Sequence, residues 1–211
     1  MAPNHSLNLE FMMGALWPDS PPRKARNSFD TAHSRLRKAL EEQFGQNIKR
    51  DYLILEKGML SLRHVQIDNS DFVEAMASAR YHLQRDHFWQ AEHALWDMDR
   101  LWGGEFLSGY DLDGELTSQR ERLTQLRLEQ LCLLAPLLQR RQQREEAAKL
   151  LQSGLSIDPT YDAVISQLLL LYRQQQDTRA VGLLLDNYRI ALQNDEYESA
   201  EIEELIEALS A

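Results

Sequence analysis

From Asp68 to Leu209 the apolar residues recur three and four positions apart in one segment after another, and no long strand-like alternation interrupts them. That spacing puts apolar side chains on one stripe of an α-helix. The first segment shows it plainly: Phe72, Ala75, Met76, Ala79 and Leu83 line one face, with Asp68-Asn69-Ser70-Asp71 read as the cap and the helix reaching about Gln84. Further helices are predicted over 87–102, 116–140, 143–154, 160–175, 178–193 and 199–209, with a reversal at Gly103-Gly104. Pro136 falls inside the third, where a missing N–H and a bulky ring predict a kink or an early end. Short helices joined by short turns can bury their stripes only by stacking in pairs.

Helix pairs of this length invite a test for the tetratricopeptide period of about 34 residues. With Pro159 as the last position of a unit, its start falls at Leu128 and its packing sites on Leu131, Leu134, Ala135, Leu138, Ala147, Leu151 and Gly154. Every one is apolar, or small where helices must approach closely. The next unit gives Ile165, Leu168, Leu169, Tyr172, Val181, Leu185 and Tyr188; the preceding one, aligned on Ala91, gives Ala75, Ser78, Ala79, Leu95 and Met98. Three degenerate helix pairs stacked into a short superhelix are expected.

The chain before residue 66 has a different character. Residues 1–65 hold ten Lys or Arg against seven Asp or Glu, a net +3, whereas 66–211 hold thirteen against twenty-six, a net −13. Opposite signs suggest separate tasks, and nucleic acid would be repelled by the acidic part. Much of the positive charge lies in Arg23–Leu40, which carries six basic residues and one acid. Its stripe is Ala25, Phe29, Ala32, Leu36 and Leu40. The opposite face presents Arg23, Lys24, Asn27, Thr31, Ser34 and Lys38, flanked by Arg35 and Arg37. These donors are the kinds that reach phosphates and base edges from a helix in a DNA groove.

This helix is predicted over 22–44, opening on Pro22 and stopped by Gly45. Before it, Ser6–Trp17 reads as a short helix with Leu9, Met12, Met13 and Leu16 on one side and Ser6 or Asn8 as cap, broken by Pro18, Pro21 and Pro22. After it, Tyr52–Leu55 and Met59–Leu62 flank Glu56-Lys57-Gly58 as a β-hairpin over 52–63, with Lys57 at its tip. Helix, turn, basic helix and hairpin in this order form the tail of a winged helix. Three parts follow: 1–65, a partial winged-helix region; 66–194, the helical repeats; and 195–211, an acidic C-terminal helix.

Other chemistries find little support. Cys132, alone in the chain, sits in an apolar run and reads as a core residue. The histidines at 5, 33, 64, 82, 87 and 93 form no pair one helical turn apart and no array with Cys132, so no metal site is expected. Gly103-Gly104 lacks the neighbours of a phosphate loop, there is no nucleophile elbow, and the many carboxylates read as solvated faces. No catalytic residue and no cofactor are therefore expected. Trp89, Trp96 and Trp102 are predicted to form a core stripe. Without an apolar run of about 18 residues or a secretory leader pattern, no membrane contact and a cytoplasmic location are expected.

A resemblance sharpens this reading. Leu16-Trp17-Pro18-Asp19, then Arg35-Leu36-Arg37-Lys38-Ala39-Leu40 and the hairpin resemble the response-regulator-type winged helix of the antibiotic regulatory protein family. In that family the winged helix is followed by a bacterial transcriptional activator domain. Gly104-Glu105-Phe106-Leu107, Arg120-Glu121-Arg122-Leu123 and Ile157-Asp158-Pro159 resemble landmarks of that domain, so the likeness spans roughly residues 9–194. It implies a mainly α protein: a partial winged helix-turn-helix with a short β-hairpin, followed by an α-helical tetratricopeptide-like repeat domain. It also implies a transcriptional regulator that binds double-stranded DNA through Arg23, Lys24, Asn27, Thr31, Ser34, Arg35, Lys38 and Lys57. The repeats would then serve self-association in a homodimer or contact a protein partner. The family carries a strand cluster and a further helix ahead of the segment holding Phe11, and only about eight residues precede it here. The alternative expectation is accordingly a repeat scaffold for protein interactions whose shortened winged helix does not bind DNA.

Overall fold

The computed structural model describes residues 5–44, 52–63, 65–112 and 114–210. They fall into two compact units, divided after Gln66.

In the first unit the order is β1 (Ser6–Asn8), α1 (Leu9–Leu16), α2 (Pro22–Phe44), β2 (Leu53–Glu56) and β3 (Met59–Leu62). The expected hairpin is present. Lys57 (φ 50°) and Gly58 (φ 78°) form its turn with both central residues in the left-handed region, which matches the twist of paired strands. One expectation needs correction: Ser6–Asn8 is extended. It adds a third antiparallel strand in the order β1-β3-β2, pairing Ser6 with Ser61, Leu7 with Leu60 and Asn8 with Met59. A lone hairpin is marginal in water, and the open edge of β3 offers the partner a three-residue segment needs. The two serine hydroxyls meet at 2.7 Å across the pair. Asn8 then caps α1, its side-chain oxygen accepting from the backbone N–H of Glu10 at 2.8 Å.

Leu9, Phe29 and Leu60 are buried together, with Met12, Met13, Trp17, Leu53 and Leu55 packed around them. Leu16 is exposed, contrary to its predicted place on the buried side of the first helix. The α2 stripe is likewise used only in part: Ala25 and Phe29 are buried, Leu40 is half-buried, and Ala32 and Leu36 are exposed. This small core covers little more than the first two turns of a helix about 35 Å long. Gly45, the expected stop, lies outside the described residues.

The second unit contains α3 (Asp68–Leu83), α4 (Phe88–Leu101), α5 (Gly114–Arg140), α6 (Arg144–Leu155), α7 (Asp162–Gln174), α8 (Thr178–Asn194) and α9 (Ser199–Ser210). Successive helices pack as the pairs α3/α4, α5/α6 and α7/α8, and the first members touch in turn, α3 with α5 and α5 with α7. This is the expected stack. All seven packing sites of the central unit, Leu131 through Gly154, are buried, as is Leu128. A Cβ on Gly154 would stand 3.1 Å from a Val164 methyl and 3.2 Å from a Leu131 methyl, so the close approach depends on the glycine. In the outer units Ser78 is exposed and Tyr172, Val181 and Leu185 are half-buried. The acidic α9 closes the stack on α8, with Ile202 and Ile206 inside the shared core.

Three local expectations change. Asp68 opens α3 rather than capping it, with Ile67 as N-cap, so Asp68 and Asp71 meet the positive end of the helix dipole from the first turn. Of the two outcomes expected at Pro136, the early end does not occur: α5 runs on to Arg140, with the proline at an exposed position. The tryptophans form no core stripe: Trp89 is 71% exposed, and Trp96 and Trp102 are half-buried. Cys132 is half-buried, and burial pushes its thiol up to about 11.

Four helices end on the same backbone motif without glycine. Asp86 (φ 57°), Gln142 (φ 65°), Gln176 (φ 58°) and Glu196 (φ 64°) each take the left-handed position. The following N–H groups of His87, Gln143, Asp177 and Tyr197 return to the carbonyls of His82, Leu138, Tyr172 and Leu192 at 2.9–3.1 Å. These are Schellman closures. Between the first pair and the second, the buried Arg127 donates to Asp99 at 2.8 Å and to Gln130 at 2.7 Å, and Gln130 donates to the Leu95 carbonyl at 3.0 Å, fixing α4 against α5. Among the described residues no helix is long and apolar enough to cross a membrane.

Candidate nucleic-acid interface

The basic face of α2 is set by what its other side buries. With Ala25 and Phe29 held in the core, the residues about half a turn away must point outward. Arg23, Lys24, Asn27, Thr31, Ser34, Arg35 and Lys38 are all exposed, and their spacing confines them to roughly a third of the helix circumference. Lys24, Asn27, Thr31 and Arg35 go further: with Ser28, Ala32 and Trp17 they line one shallow groove. Arg23, Ser34 and Lys38 stand on the same arc outside it. Lys57 is exposed on a different element, the β2–β3 turn, which is tied to α1 by the Leu9 N–H donating to the Gly58 carbonyl at 2.8 Å.

The side chains differ in how committed they are. Thr31 donates its hydroxyl hydrogen to the Asn27 carbonyl at 2.9 Å, which fixes its rotamer and leaves the oxygen's lone pairs outward. Lys38 lies 3.6 Å from Glu42 one turn on, an exposed pair worth a few tenths of a kcal/mol, about 0.3–0.5, and readily exchanged for a phosphate. Arg26, outside the candidate set, is paired with Asp30 at 3.2 Å away from the groove. The Phe29 and His33 rings stack at 5.6 Å on the core side.

Trp17 and Ser28 are groove residues that helical-wheel reasoning on α2 alone did not reach. The signal for Trp17 was its place before the proline turn: the Ser20 N–H donates to the Trp17 carbonyl at 3.1 Å, folding the indole back beside the first turns of α2. The groove offers cationic and neutral hydrogen-bonding groups beside an indole. Among the described residues no three His, Cys, Asp or Glu side chains gather as a metal site.

Comparison with known proteins bears on the second unit. A structural likeness exists to the C-terminal TPR-containing domain of an FK506-binding protein from Plasmodium falciparum, at 10% identity, with 68% of this chain and 88% of that chain covered and a TM-score of 0.45. No curated protein matches the sequence. The family profile of the bacterial transcriptional activator domain matches residues 67–208, spanning the whole helical stack from α3 into α9. On that match the chain belongs to the bacterial transcriptional activator domain family.

Proposed function

We propose that this protein is a transcriptional regulator that contacts double-stranded DNA through α2 and the β2–β3 wing, while the helical unit mediates self-association or contact with a protein partner. The observation that carries the reading is the groove on α2, where Lys24, Asn27, Thr31 and Arg35 converge on one exposed face. Membership of an activator-domain family supports the regulatory setting. In this reading Arg23, Lys24, Arg35 and Lys38 neutralise phosphates, Asn27, Thr31 and Ser34 face the major groove, and Lys57 reaches a neighbouring phosphate or the minor groove. The net charge of −13 over residues 66–211 confines such contact to the first unit. Exposed Leu183 and Ile190, seven residues apart on α8, support protein contact by the second.

Titrating a fluorescent random duplex with the intact protein at low salt is the direct test. Binding that weakens steeply as salt rises is expected, because each phosphate contact releases counterions. The acidic balance of the whole chain, −10, favours a second reading as a protein-interaction scaffold without DNA affinity. Absence of any anisotropy change at micromolar protein and low salt would decide for it.

A further inference from the structure

The outward face of α8 carries apolar residues that the stack neither buries nor requires. Leu184, Tyr188, Ala191 and Leu192 turn into the core, which leaves Leu183 and Ile190 on the opposite side, 61% and 55% exposed. They stand two turns apart on one line, about 10 Å along the axis. A step of one repeat back along the chain leads to Lys149 and Ser156 on α6, exposed polar residues at the same outward positions. The repeat folds without apolar groups there, so those of α8 are an addition to its packing needs.

Gly182, next to Leu183, is a second and independent observation. It lies inside α8, where glycine weakens a helix relative to alanine. A Cβ added to it would meet no atom within 4 Å, in contrast to Gly154, whose neighbours leave no room. Among the described residues, then, nothing crowds this position. Bare backbone beside two exposed aliphatic side chains suits the close approach of a further helix.

Charge decides what that helix is. Residues 178–210 hold eight Asp or Glu against two Arg. Arg189 is already held by Asp186 at 3.6 Å and Glu203 at 3.2 Å, and Arg179 stands at the N-terminal end of α8. The Arg189–Glu203 pair sets one edge of α9 beside α8, and Glu207 extends that edge by one turn. Excess negative charge therefore surrounds the Ile190 end, and the C-terminal end of the helix dipole adds to it. A second copy of this unit would bring the same charge and be repelled. We infer that the Leu183–Ile190 face of α8 docks a basic amphipathic helix of a protein partner. Its apolar stripe covers Leu183 and Ile190 over Gly182, and its Lys and Arg residues meet the carboxylates at the Ile190 end and along α9. This rests on the protein-contact part of the reading above and names the surface and the chemistry of the partner.

An anisotropy titration of the intact protein against three fluorescein-labelled synthetic helices of about three heptads tests this. The first carries a leucine stripe flanked by Lys and Arg, the second the same stripe flanked by Glu, and the third the composition of the first with its leucines scattered. The first should bind saturably with a Kd below about 100 µM and weaken as salt rises. The second should not bind, and the third should bind at least about tenfold more weakly. Leu183→Gln with Ile190→Gln, both at exposed positions, should weaken the first peptide at least about tenfold and leave thermal unfolding in place. Gly182→Leu should also weaken it without lowering the unfolding temperature, a combination that a glycine needed only for the fold would not give. Lack of saturable binding up to millimolar peptide, equal binding of either control, or an affinity indifferent to the double substitution would each overturn the inference. So would a dimer in sedimentation velocity that the double substitution dissociates, which would keep protein contact but make a second copy the occupant. None of these outcomes depends on duplex binding, so the DNA part of the reading is decided by its own titration.

Discussion

The Nε2 of Gln167 on α7 donates to the backbone carbonyl of Cys132 on α5 at 3.0 Å. Position 132 is four residues before Pro136, whose ring nitrogen cannot supply the intrahelical hydrogen bond that this carbonyl would otherwise accept. A side chain from the next helix pair therefore fills the vacancy that proline creates, and α5 passes through Pro136 without ending. Gln167→Met should remove this donor and destabilise the helical unit by about 1–2 kcal/mol in urea unfolding. In a Pro136→Ala background, where the backbone N–H is restored, the same substitution should cost clearly less. Equal costs in the two backgrounds would show that the residues are not coupled.

The left-handed helix ends are stability left unclaimed. Gln142 holds φ 65° with a side chain that gains nothing evident from it. Gln142→Gly should raise the unfolding free energy by about 0.5–1 kcal/mol, since glycine takes this position without the Cβ clash and loses only part of the gain to backbone entropy. Chemical denaturation of the two proteins side by side measures it.

Gly154 sets the separation of three helices. Replacing it by leucine drives side-chain atoms into Val164 and Leu131, already only 3.1–3.2 Å from where a Cβ would stand. A loss of about 1–3 kcal/mol is expected, with broadened methyl resonances at both neighbours. A leucine variant as stable as the parent would mean that α6 can move away at no cost.

For α2, the two classes of contact predict different signatures. Asn27→Ala with Thr31→Ala should flatten the preference among DNA sequences while leaving the salt slope in place. Lys38→Ala should weaken binding to every duplex and lower that slope by about one unit. Competition titrations at several salt concentrations separate the two. If neither variant alters binding, the α2 assignment fails.

Cys132 should be a slow thiol. Burial, with Glu129 nearby, raises it to about 11, so near neutral pH almost none is thiolate in the folded protein. Alkylation by iodoacetamide at mildly alkaline pH should run at least about tenfold slower in the native protein than in urea. A raised folded-state value also means that this group supports folding at neutral pH and withdraws that support as pH climbs from the ordinary thiol range toward 11. Native and unfolded protein reacting at one rate would contradict the burial.

Helical period is a property of neighbours along the chain, which is why the stripes over 68–209 located α3 to α9 to within a few residues. The repeat positions Leu131, Leu134, Ala135, Leu138, Ala147, Leu151 and Gly154 were legible for the same reason, since a helix pair repeats the same contacts at the same spacing. Helix ends were less so: Asp86, Gln142, Gln176 and Glu196 do the work usually given to glycine, and only the closed hydrogen bonds reveal them. Tertiary contact alone decided that Ser6–Asn8 is a strand, because its partner Met59–Ser61 lies some fifty residues away. The same holds for the exposure of Trp89, which depends on whether another helix reaches that face. On α2 the wheel identified the outward arc, but the place of Trp17 beside Lys24, Asn27, Thr31 and Arg35 required the chain to fold back through its proline turn. Composition and period settle which residues seek burial; only packed elements settle which of them find it.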